Sequence, residues 1–203
     1  MLMRRIASLV SVILHPLLMP SLGLLLLLNS GSYISLLDPA AKRAILFVMA
    51  LGTLIFPLMM LPVFFYRNLV YNQKGNMAEE RWVPRMIILI LYIITTVYFL
   101  RLPLNSIIQG YVLSVTIAFT LLVLLNIRLK ISVHLAGPGG ITGLIIGLIM
   151  TFKVPLEGYL LLALLAAGLL GTARLLSEEH RPYEIYTGFG IGFACVLATL
   201  LVY

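Results

Sequence analysis

The chain has 203 residues, of which 62% are hydrophobic and only 10% charged, with a mean hydropathy of +1.10. A soluble domain carries roughly 25% charged residues, so these few charges cannot build a water-facing surface, and a polytopic membrane protein is expected. The net charge of +7 is then no nucleic-acid footprint, because basic residues of membrane proteins gather at loop ends, where they set topology and meet anionic headgroups.

Apolar runs fall at about 6–28, 44–66, 86–100, 107–127, 131–152, 156–173 and 183–203. At about 20 residues per crossing, they predict six to seven spans. In the first run, Arg4 and Arg5 precede apolar residues in the manner of a signal peptide. The run continues to about Leu28 without a small-x-small cleavage site, so it reads as a retained span, interrupted by Pro16 and Pro20. Segments such as "LGLLLLL" and "YLLLALLAAGLL" do not alternate as barrel strands must. The expectation is an all-α polytopic transmembrane helical bundle forming a single domain over 1–203.

Small residues recur every four positions late in the chain: Gly139, Gly143 and Gly147, then Ala163, Ala167 and Gly171, then Gly188 and Gly192. Such stripes let helices approach closely in lipid, so the last three segments are expected to pack together. Cys195 lies inside an apolar segment and reads as a small buried hydrophobe.

The ionisable residues gather in three clusters: Lys74 to Arg85, Lys130 to His134, and Arg174 to Glu184. Two crossings separate each cluster from the next, so all three are expected on one side of the membrane. With seven spans that side also carries Arg4, Arg5, Arg67 and Arg128, the more basic count, so the charge bias would place it in the cytoplasm, with the orientation left open.

In the third cluster, Pro182 suits the first turn of a helix. Glu184 then sits in that turn and can reach back toward His180, an arrangement that fixes an imidazole tautomer and suits a nucleophile or base. The plainer reading is a helix-start cap without reactivity. Arg174 can direct a bidentate fork at a phosphate. In "KISVHLAG", Ser132 and His134 begin a helix, whose N–H groups favour an anion. Lys74 and Arg81 add cationic donors, and Arg85 stands close enough to take the place of Lys74. His15, before Pro16, reads as structural.

These residues resemble the three motifs of the type 2 phosphatidic acid phosphatase superfamily, K-x6-R-P, P-S-G-H and S-R-x5-H-x3-D. The chain has Lys74-x6-Arg81, "ISVH" at 131–134, and Arg174-x5-His180-x3-Glu184, so the resemblance covers residues 74 to 188. Glu184 stands where the family has Asp, and Ile131 and Val133 replace Pro and Gly. Ala173 replaces Ser, and proline is delayed to Pro84.

The resemblance implies a phosphatase without metal or cofactor, working through a phosphohistidine on a membrane lipid phosphate. His180 would be the nucleophile, Glu184 its orienting carboxylate and His134 the general acid. Lys74, Arg81, Ser132 and Arg174 would hold the phosphate oxygens. Members of that family often face outward, against the charge count. Two rivals stay open: transfer of the phosphoryl group to another lipid, and non-catalytic binding or transport of anionic lipid.

Overall fold

The structure, a computed structural model, describes residues 10–60, 62, 77–177 and 181–202, with 77–83 as backbone only. Every regular element among these residues is helical, and the fold is an all-α bundle. In chain order the helices are α1 (Met19–Leu28), α2 (Pro39–Met60), α3 (Met77–Arg101), α4 (Ser106–Leu125), α5 (Val133–Phe152), α6 (Glu157–Leu176) and α7 (Pro182–Val202). Helices α2 to α7 each contain a stretch long and apolar enough to cross a membrane, which makes this a multi-pass membrane protein.

The first apolar run does not form one long helix. Helical residues 10–13 end in a turn, and the ten-residue α1 starts only at Met19. Proline disfavours the helical conformation at the residue before it, here His15, and at the break the Leu17 N–H donates to His15 Nδ1 at 3.3 Å.

Elsewhere the helix ends follow local chemistry. The Asp38 carboxylate caps α2 by accepting from the Ala40 and Ala41 N–H groups at 2.8 and 3.3 Å. Asn105 Oδ1 caps α4 through the Ile107 N–H at 3.0 Å. A π-turn over Leu51–Ile55 interrupts α2 where Gly52 meets the Thr95 side chain of α3. Helix α3 begins well before the apolar run it carries and continues through Pro84.

Helices α3 and α4 are antiparallel. The Tyr92 and Phe119 rings lie 4.9 Å apart, and the Thr96 and Thr116 hydroxyls pair at 2.6 Å. By contrast α5 and α7 run parallel in direct contact, through glycines on both sides. A Cβ at Gly139 or Gly143 would overlap the carbonyls of Phe189 or Phe193, and one at Gly188 or Gly192 would overlap those of Ser132 or Ala136. Only glycine permits this backbone-to-backbone approach.

The expectation that three small-residue stripes join the last three helices is therefore met most fully by α5 and α7. Helix α6 packs mainly on α5. Its spanning stretch is only 17% buried, against 61% for α5, and Gly158 and Gly168 face open space.

Candidate functional site

Because α5 and α7 are parallel, their N-termini open side by side. Ser132, the residue before α5, is extended (φ −75°, ψ 107°), and its N–H donates to the Glu184 carbonyl in the first turn of α7 at 3.1 Å. The bare Cα of Gly188, one turn along, lets the Ser132 carbonyl lie against α7. The approach to α5 is tethered at its other side by Asn126, the C-cap of α4, whose Oδ1 accepts from the Ile131 N–H at 3.0 Å.

Arg174 enters from the last turn of α6. The link is apolar: Leu135, Leu170 and Ile185 form one buried cluster. Leu135 follows His134, Leu170 precedes Arg174 by one turn, and Ile185 follows Glu184. A methyl on Gly171 would touch Ile185 and Leu135 at 3.7 and 3.9 Å. Ser132, His134, Arg174 and Glu184 are thus carried to one end of the bundle on three helices. Of the remaining expected residues, Arg81 lies in the opening turns of α3, where only backbone is described, and Lys74 and His180 lie outside the described residues.

Glu184 is 3% exposed, and its Oε2 accepts from the Arg181 N–H at 3.2 Å. This is the carboxylate half of a capping box: the third helical residue reaches back to the N–H of the residue before the helix. The capping reading of Glu184 is therefore realised, and the bond fixes where the carboxylate sits. Ser132 behaves differently. Fully buried (0% exposed) at an N-cap position, it makes no side-chain cap bond. Its Oγ has no hydrogen-bond partner among the described residues. Burying a hydroxyl in this way costs about 1–3 kcal/mol, which an acceptor brought by a ligand would recover.

His15, expected from the sequence to be structural, packs against a residue of the candidate site. Its ring meets the His134 ring edge-on, with centroids 5.7 Å apart. Both rings are half-buried. His15 lies outside the six spans, and its burial lowers its pKa below the usual histidine range. The Leu17 N–H at Nδ1 leaves the proton of the neutral ring on Nε2.

Beside the two histidines opens a cavity of about 310 Å³ between α1, α3, α4, α5 and α7. Arg85, Asn126 and Val133 line its end at the helix termini, and Tyr111, Ile141 and Val196 line it at greater depth.

Comparison with protein-family models, with curated proteins and with solved structures finds no match to this chain.

Proposed function

We propose that this chain is a membrane lipid phosphatase of the type 2 phosphatidic acid phosphatase kind, acting without metal at one face of a cell membrane. The observation that supports it most is the convergence at one bundle end of Ser132, His134, Arg174 and Glu184, with the Ser132 hydroxyl buried and unsatisfied among the described residues.

In the proposed reaction the neutral His180 imidazole attacks phosphorus. A P–N bond forms as the P–O bond to the lipid breaks, and His134 gives its proton to the departing oxygen. Water then attacks the phosphohistidine. The P–N bond breaks, the water proton passes to His134, and inorganic phosphate leaves. Arg174, Arg81 and Lys74 neutralise the phosphoryl oxygens, Ser132 donates its hydroxyl to one of them, and Glu184 orients His180. Two parallel helix N-termini, each worth roughly half a positive charge, add to the attraction for the dianion.

The test is phosphate release from a panel of phosphatidic acid, phosphatidylglycerophosphate and polyprenyl diphosphate by the purified full chain. His180→Ala and His134→Ala are expected to lower turnover by about 10²-fold or more. Absence of release from every lipid, or full activity in His180→Ala, would overturn the proposal. Phosphate appearing on an acceptor lipid would assign transfer instead.

A further inference from the structure

We infer that the cavity beside His15 is a slot for one hydrocarbon chain of a phosphate-bearing lipid, with Arg85 at its mouth receiving the headgroup. The headgroup assignment rests on the phosphatase reading. The chain slot rests on the cavity alone.

Three observations carry it. First, polarity is graded along the cavity. His15, Arg85 and Asn126 sit where α1, α3 and α4 reach the bundle end that holds Ser132 and Glu184, while Val115, Ala118 and Phe119 line the wall behind them. A water needs two to four polar partners, and deeper in, the Tyr111 hydroxyl is already committed to the Pro20 carbonyl at 3.0 Å. The deep part therefore suits a ligand that asks for no hydrogen bonds.

Second, the shape is elongated. Asn126 and Tyr111 lie near opposite ends of α4, so the lining extends on the order of 20 Å at about 1.5 Å per residue. The 310 Å³ volume is roughly twice that of an apolar cavity accepting one benzene ring, or about a dozen carbon atoms. A single chain fits; a folded soluble metabolite of that length would strand its polar groups.

Third, the slot and the candidate site share a wall. His15 lines the cavity, and its ring rests on that of His134. Arg85 is half-buried at the mouth and carries a permanent charge in a fork suited to phosphate. A lipid seated there would present its phosphate beside His134, and its chain would select substrates by length.

The experiment measures binding of n-alkyl phosphates of 4 to 16 carbons to the full chain in digitonin, with phosphate release followed on the same compounds. Affinity is expected to rise about 4-fold per methylene (~0.8 kcal/mol each) and to level off near 12 carbons. Ala118→Phe, or Val115→Phe should the first not fold, fills the slot and is expected to move the plateau to shorter chains. Arg85→Gln is expected to weaken binding about tenfold or more at every length while leaving the plateau in place.

Affinity that climbs through 16 carbons without levelling would overturn the slot, as would a plateau unmoved in a folded filling variant. Where neither filling variant folds, the wild-type plateau decides alone. Length-limited binding without phosphate release would leave the slot standing and overturn the phosphatase. Release with no length limit would do the reverse.

Discussion

The backbone approach that touches the candidate site itself gives the sharpest prediction. Gly188 and Gly190 both lie in α7, yet a Cβ on Gly188 would overlap the Ser132 carbonyl, whereas one on Gly190 meets nothing within 4 Å. Replacing either by alanine adds the same methyl and the same helix propensity gain, about 0.5–1 kcal/mol. The propensity contribution cancels when the two variants are compared with each other, leaving only the clash.

At Gly188 the obstacle is a backbone carbonyl, with no flexible side chain to swing aside, so the helices must separate or tilt. Overpacking of this kind costs about 1–3 kcal/mol. For a chain of this size it corresponds to a gap of roughly 2–12 °C between the two melting temperatures. The shift also acts on the Ser132 N–H bond to the Glu184 carbonyl at 3.1 Å, so Gly188→Ala should lower lipid-phosphate turnover as well as stability. Thermal melts of both purified variants, read by loss of monodisperse protein on gel filtration, measure the gap. If Gly188→Ala melts level with Gly190→Ala, the tight parallel packing of α5 and α7 is wrong, and so is the site geometry built on it.

Three further expectations follow from single contacts. Glu184→Gln keeps an acceptor for the Arg181 N–H and should melt above Glu184→Ala, which loses the cap at about 0.5–2 kcal/mol. If Glu184 orients a reactive imidazole, both should lose turnover in the phosphate-release assay; an active Glu184→Gln would reduce Glu184 to a cap. Lys153 closes α5 with φ 52°, a left-handed conformation that favours glycine. Lys153→Gly should therefore raise the melting temperature by roughly 2–4 °C, from a gain of about 1 kcal/mol. Thr116→Val removes the 2.6 Å hydroxyl pair with Thr96 and should cost about 0.5–1.5 kcal/mol by the same melt; no loss would show that pair to be energetically silent.

The all-α class and the edges of α4 to α7 were legible because long apolar runs between polar linkers permit little else in lipid. The start of α7 at Pro182 came from one residue with one helical use. The start of α3 was not legible from hydropathy: Met77 to Arg85 is polar, yet Ala78, Glu79, Glu80 and Arg81 favour helix by propensity, and the helix extends beyond its apolar stretch.

Small-residue spacing identified which faces pack but not which helix each would meet, since a four-residue stripe names no partner. Thus α6, with Ala163, Ala167 and Gly171, remains largely peripheral, while α5 and α7 form the intimate pair. The neighbours Ser132 and Glu184 were suggested by helix-start chemistry. The His15–His134 contact joins residues from opposite halves of the chain, and such a meeting is set by tertiary packing that no local pattern encodes.

The parallel course of α5 and α7 has a consequence for how freely the chain can change. The path from the far end of α5 back to the start of α7 must run outside the pair, and α6 makes that return. Its Leu161, Leu162, Leu165 and Leu169 are 60%, 63%, 55% and 64% exposed, so they form a lipid-facing surface on the helix that ends in Arg174. Drift in the outermost large side chains should pass almost unnoticed, whereas one added methyl at a central glycine should not. Between the outer face of α6 and the seam of α5 and α7, it is exposure to lipid, and not the size of the side chain, that sets how freely a position can change.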